Sequence, residues 1–182
     1  MRLFIAIELS EEIKKRLERI SEMFRMSGVT LVKREAYHIT LHFLGEVSEA
    51  HAKSLTVGLE ALEKPAAFTI RVRGLSAFGM PLRVVFADMD DGKEQAIGLY
   101  RITGEAVKRL MPAYPFEENY TPHITLARIK HAEKELIHEL VERYSGMEFG
   151  TMDVNAFVLK KSMLAKDGPI YTDICRCSLI GH

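Results

Sequence analysis

Apolar and polar positions alternate along the chain with two periods. The run Leu3-Phe4-Ile5-Ala6-Ile7 is too short for a helix and predicts a buried strand. Ser10 precedes Glu11 and Glu12, an N-cap with acids in the first turn, where they complement the helix dipole. Ile13, Leu17, Ile20 and Phe24 then recur at spacings of 4, 3 and 4, one face of a helix with Gly28 as its stop. A second apolar run, "YHITLHFLG" at 37–45, reads as a strand. Ser48 caps a second helix with Ala52, Leu55, Leu59 and Leu62 inward, and Pro65 follows its end. "FTIRVRGLSAFG" alternates and pairs with "RVVFADM" as a hairpin.

A third helix is predicted from about Lys93 to Leu110, with Ile97, Tyr100, Ile102 and Val107 as its buried side. The Pro- and aromatic-rich connection "MPAYPFEENYTP" leads to the strand "PHITLARIK" at 122–130. A helix follows from about Ala132 to Tyr144, ended by Gly146. Two closing strands, "MDVNAFVLKKSML" and "PIYTDICRCSLI", flank a turn at Asp167-Gly168. The order is β-α-β-α-β-β, then α-β-α-β-β. Adjacent hairpins among interleaved helices predict antiparallel sheets and an α+β fold. Similar elements surround each copy of His-Ile-Thr-Leu, at 38–41 and 123–126, which predicts two lobes built alike within one domain spanning residues 1–182.

Strand alternation makes the repeat chemical. His38 and Thr40 share one face and Ile39 and Leu41 the other; His123 and Thr125 stand likewise against Ile124 and Leu126. If the lobes meet about a pseudo-two-fold axis, two histidines and two threonines converge on a groove. Displacement at phosphorus needs a base beside the nucleophile and an acid beside the leaving group. An imidazole changes charge near neutrality and serves in either role. Threonine hydroxyls donate to phosphate oxygens as charge shifts. No metal or other cofactor is required. Strict alternation also puts His42 on the His38 face, as a flanking residue. A zinc site from His38, His42 and His123 lacks a carboxylate or thiolate companion. His51, His131, His138 and His182 read as surface residues.

Composition narrows the partners. Lys+Arg and Asp+Glu number 25 each, so no bulk field announces a polyanion-coating protein, while a small anion held by local cations stays open. Cys175 and Cys177 read as reduced thiols on one strand face. The N-terminal apolar run is too short for a signal peptide or membrane span, so a cytoplasmic monomer without membrane contact is expected. Asn and Gln total three, a lean towards a heat-adapted source. No P-loop or nucleotidyl-transfer lysine motif is present, which argues against ATP-driven sealing.

The paired motifs "HITLHFLGEV" and "HITLARIK" resemble the two-histidine phosphoesterase superfamily, in particular its LigT-like branch of RNA 2',3'-cyclic phosphodiesterases, historically named 2'-5' RNA ligases. "MRLFIAIELSEEI", "GLSAFGMPLRVVFADM" and "LKKSMLAKDGPIYTDI" extend the resemblance over nearly the whole chain. It implies a bilobal fold, a pseudo-two-fold duplication with antiparallel sheets, outer helices and a central cleft. It implies hydrolysis of a terminal 2',3'-cyclic phosphate to a 2'-phosphate, and a weaker, reversible 2'-5' joining of RNA ends. The alternatives are reversible 2'-5' RNA ligation as the physiological activity, and capture of a nucleotide or RNA end without turnover. By this analogy His38 is the proton donor, His123 the general base, and Thr40, Thr125 and Arg128 hold the phosphate of an RNA end or small cyclic nucleotide. Strict alternation sets Arg128 on the wrong face for that role, unless the strand ends or bulges near Ala127 or the side chain reaches round. Tyr37, Phe43, Tyr114, Phe116 and Tyr120 are candidates for base stacking. Lys33, Arg34, Arg83, Lys130, Lys160 and Lys161 are candidates for lining the cleft.

Overall fold

The computed structural model describes residues 1–165 and 168–181. The turn read at Asp167 and the terminal His182 therefore lie outside the described residues. In chain order the elements are β1 (Arg2–Glu8), α1 (Glu11–Ser21), β2 (Val29–Leu31), β3 (His38–Glu46), α2 (Glu49–Glu60), β4 (Phe68–Phe78), β5 (Val84–Asp91), α3 (Lys93–Leu110), β6 (Ile124–Ile129), α4 (Lys134–Arg143), β7 (Glu148–Val154), β8 (Ala156–Ala165) and β9 (Gly168–Ser178).

The local signals act where the sequence places them. Ser10 is extended at the N-cap of α1 and its hydroxyl accepts from the Ile13 amide at 3.4 Å. Ser48 does the same for α2, accepting from the His51 amide at 3.2 Å. Each hydroxyl satisfies an amide that lacks an intrahelical partner. Helix α1 ends earlier than Gly28: a single 3-10 turn, Glu22–Phe24, follows it and carries Phe24 into the core. Gly28 serves a different need. Its φ is +78°, and a Cβ there would collide with the His131 carbonyl oxygen.

All strand pairs within the two sheets are antiparallel. One sheet has the order β3-β1-β8-β9, the other β2-β6-β5-β4-β7. In each, a strand of the repeated motif pairs with the strand that opens its half of the fold, β3 with β1 and β6 with β5; further in lie β8 and β9 in one sheet and β4 and β7 in the other. Helices obey the same rule. Helix α1 follows β1 but packs on β6 and β7 of the other sheet, and α3 follows β5 but packs on β3. Helix α2 contacts β9 and α4 contacts β4, each within its own lobe. The two lobes thus exchange one helix each, and their buried apolar side chains form one continuous cluster.

Several sequence readings change. The segment "MDVNAFVLKKSML" is two strands, β7 and β8, which part at Asn155 and enter different sheets. Both halves alternate, so hydrophobic period alone does not reveal the break. Strand β2 is only three residues long and too short for a period to register. The buried side of α3 is Ala96, Leu99, Tyr100, Thr103, Ala106 and Val107, with Ile97 and Ile102 half-buried beside it. Small residues under a neighbouring helix outrank the branched apolar ones. Leu62 lies beyond the end of α2 and is likewise half-buried. Both cysteines are free, Cys177 buried and Cys175 half-buried. Among the described residues no helix is long and apolar enough to cross a membrane.

Candidate active site

Strands β3 and β6, the two carriers of His-Ile-Thr-Leu, contact each other where the lobes meet. Beside them opens a cleft of about 710 Å³ whose walls include His38, Thr40, Phe43, Thr125, Arg128 and Tyr171. Lys33, Glu35, Pro169 and Ile170 are also among the residues that line it. His123 is not among the walls. It stands immediately before β6, half-buried, two residues from Thr125 on the same pleat face.

The two imidazoles are held in the same way. Nδ1 of His38 lies 2.7 Å from the carbonyl oxygen of Ala36, and Nδ1 of His123 lies 2.8 Å from that of Thr121. A carbonyl only accepts, so each Nδ1 carries a proton and each Nε2 is left to give or take the other. Aromatic rings set the planes. His38 lies 4.9 Å from Phe4 and 5.5 Å from Tyr171; His123 lies 5.3 Å from Phe78 and 5.2 Å from Phe86. Burial pushes the His38 pKa down to about 4, against a smaller upward pull from the Ala36 carbonyl. Lys160 adds to the depression and Glu8 opposes it. Those two groups are paired at 2.6 Å, Lys160 also binds Asp173, and Arg176 reaches Glu8 at 3.3 Å. Lys160 is therefore a buried, neutralised structural cation and not part of the cleft wall.

The pleat breaks at the same point in both motifs. In β3, Thr40 opposes Ala6 and His42 opposes Ile5, which leaves Leu41 without a partner. In β6, Thr125 opposes Phe86 and Ala127 opposes Val85, which leaves Leu126 without one. An extra residue reverses the facing of everything after it. Arg128 accordingly joins Thr125 on the cleft wall, and its apparent misplacement is resolved by a bulge at Leu126. The equivalent bulge at Leu41 overturns the placement of His42. It turns away from His38 and is buried, 1% exposed. Its Nε2–H donates to the Tyr100 carbonyl (2.9 Å), and its Nδ1 accepts from the Tyr114 hydroxyl (3.2 Å). Phe43 takes the cleft side in its stead.

The remaining candidates separate cleanly. Tyr37 is buried and its hydroxyl donates to Ser21 at 2.9 Å. Tyr114 and Phe116 pack around His42. Tyr120 stacks on Tyr100 at 3.9 Å, and its hydroxyl donates to the Thr40 carbonyl at 2.8 Å. That bond fixes the strand of the first motif from the loop that delivers the second. Of the candidate aromatics, only Phe43 lines the cleft, and of the six candidate cations only Lys33 does. Arg34 instead reaches Glu18 at 3.3 Å. Sequence reasoning missed Tyr171. Burial raises its pKa, while the positive charges of Arg128 and Lys160 pull it down. Its signal was present in the resemblance of "GPIYTDI", but a lone tyrosine in a strand carries none by itself.

A family model described as LigT like Phosphoesterase matches residues 7–86 and 93–171. Among curated relatives, the RNA 2',3'-cyclic phosphodiesterase of Methanocaldococcus jannaschii is 31% identical over 172 residues, covering 94% of this chain and 96% of that one. The protein of the same name from Archaeoglobus fulgidus is 34% identical, covering 96% and 98%. Among solved structures, one from Thermus thermophilus superposes with a TM-score of 0.80 at 31% identity over the whole of both chains. Escherichia coli LigT complexed with 3'-AMP gives 0.81 at 26% identity, covering 98% and 97%.

Proposed function

The chain belongs to the LigT-like phosphoesterase family, and from that premise we propose that it hydrolyses the 2',3'-cyclic phosphate at an RNA end to a 2'-phosphate, without a metal ion. The observation that carries this reading is the matched pair of imidazoles, each Nδ1–H held by a carbonyl two residues upstream and each Nε2 left to give or take a proton.

The chemistry follows from in-line displacement. Water attacks phosphorus opposite O3'. Nε2 of His123 takes the water proton as the new P–O bond forms. The P–O3' bond breaks, its electron pair stays on O3', and the Nε2–H of protonated His38 delivers a proton there. The hydroxyls of Thr40 and Thr125 donate to the non-bridging oxygens, and Arg128 balances their charge. In the open cleft burial keeps His38 neutral at pH 7. The phosphodiester anion beside it favours the imidazolium, so substrate raises the pKa of its own acid. The partners on this reading are RNA ends and small cyclic nucleotides.

The test is the pair His38→Ala and His123→Ala, each compared with the parent on an oligonucleotide ending in a 2',3'-cyclic phosphate. Each is expected to lose at least about a hundredfold in kcat, the scale of one general acid or base. Circular dichroism and thermal melts confirm the fold. Parent-like turnover in either variant excludes the two-histidine mechanism.

A further inference from the structure

The two imidazoles are alike in their Nδ1 bonds and unlike in what stands behind them. The Ala36 carbonyl that receives the Nδ1–H of His38 belongs to a 3-10 turn, Arg34–Ala36. Two backbone bonds close that turn, Ala36 to Lys33 at 2.9 Å and Tyr37 to Arg34 at 3.1 Å. The Thr121 carbonyl that receives the Nδ1–H of His123 lies in residues 111–123, which form no helix or strand. A carbonyl orients an imidazole only as well as its own segment is held. Tyr120, the neighbour of Thr121, holds this one. Its ring stacks on Tyr100 at 3.9 Å, and Tyr100 stacks in turn on His42 at 4.4 Å. Its hydroxyl donates to the Thr40 carbonyl at 2.8 Å, across 80 residues of chain. Burial raises the pKa of that hydroxyl, so it stays a donor. The anchor point is well chosen: β3 is an edge strand of its sheet, and Thr40 is the last paired residue before its bulge. The counterpart of Tyr120 three residues before His38 is the exposed Glu35, so the duplication does not repeat the tether.

We propose that Tyr120 is a positioning residue for the general base. Two hydrogen bonds run in series from Thr40 to His123. The Tyr120 hydroxyl binds the Thr40 carbonyl, the Thr121 carbonyl binds Nδ1 of His123, and the planar Tyr120–Thr121 peptide joins them. The first bond ties the loop to the strand whose Thr40 side chain lines the cleft; the second ties the ring to the loop. Removing the hydroxyl leaves the aromatic stack and the imidazole in place and frees the Thr121 carbonyl to drift. A misplacement of about 1 Å in a reacting group costs about a hundredfold in rate. The inference rests on the cyclic phosphodiesterase reading and adds to it the residue that sets the base against the phosphate. Tyr120 touches neither substrate nor reacting atoms, so its effect passes through His123 and falls on the chemical step rather than on binding.

The experiment compares the parent, Tyr120→Phe, His123→Ala and the double variant on a nucleoside 2',3'-cyclic phosphate. Tyr120→Phe is expected to lose about tenfold in kcat, with KM within about twofold of the parent's. In the His123→Ala background the same substitution changes kcat by less than about twofold, because the group it positions is gone. A parent-like kcat in Tyr120→Phe, or an equal loss in both backgrounds, overturns the inference while leaving the hydrolytic reading intact. The placement of the His123 proton is read without turnover. At about pH 9, where an ordinary imidazole is neutral, long-range 1H–15N spectra of the parent put it on Nδ1, and those of Tyr120→Phe divide it between Nδ1 and Nε2. An unchanged spectrum overturns the positioning role even where turnover falls. A parent that does not hydrolyse, with both spectra as expected, removes the cyclic phosphodiesterase reading and keeps the tether.

Discussion

At the scale of single residues, one bulged leucine in each motif decides which side chains reach the cleft. His42 and Arg128 lie on either side of the same error of phase: strict alternation put the histidine in the cleft and the arginine outside it, and the bulges at Leu41 and Leu126 exchange them. In the core, His42 is stacked on Tyr100 at 4.4 Å and its pKa, like that of His38, is lowered to about 4, chiefly by burial. The sign of the consequence is definite. Between pH 6.5 and 4 the unfolded chain binds protons at these positions and the native chain does not, so stability falls as pH falls through that window. The slope is at most about 1.4 kcal/mol per pH unit for each histidine. In urea titrations from pH 7 to 4, His42→Gln, which keeps a polar side chain without the titration, flattens the slope. A slope unchanged from the parent's would show that His42 is not neutral in the folded protein. That His38 and Thr40 share one strand face, and His123 and Thr125 another, was legible because the motif occurs twice. A bulge has no sequence signature of its own, so the facing of the residues beyond each leucine was not.

Elements place these residues by contacts that period alone does not specify. Helix α3 shows how. Its buried face is built from small residues, and Gly104 sits directly under the Phe116 ring: a Cβ there would collide with Phe116 and meet His42 at 3.0 Å. Gly98, in the same helix, has nothing within 4 Å of its would-be Cβ. Helix propensity favours alanine over glycine by about 1 kcal/mol at both positions. Thermal melts are therefore expected to move in opposite directions, up for Gly98→Ala and down for Gly104→Ala. A stabilised Gly104→Ala would show that the packing of α3 on β3 is looser than described. The helix itself was readable from the sequence, from Lys93 to Leu110. Of its buried face only Tyr100 and Val107 were, because a stripe of Ala, Thr and Gly becomes core only when another layer lies on it. The same limit hid the division of "MDVNAFVLKKSML" at Asn155, where one alternating pattern serves two sheets.

At the scale of the whole molecule, the duplication frames the cleft. Two sheets of like order, each lending a helix to the other, bring β3 and β6 together at the boundary of the lobes. The α+β class, the antiparallel hairpins and the paired lobes were all accessible from element order. The exchange of helices was not, since nothing in an amphipathic face names its partner. The frame supplies two equivalent imidazoles, and the cleft breaks that equivalence with Arg128 on one wall and Phe43 on the other. The measurement that bears most directly on this account uses a short oligonucleotide ending in a 2',3'-cyclic phosphate, incubated with the intact chain in excess EDTA, with the position of the product phosphate determined by NMR. The account predicts turnover to a 2'-phosphate alone, the product of P–O3' cleavage. A 3'-phosphate product, or turnover that EDTA abolishes and a divalent cation restores, would contradict it.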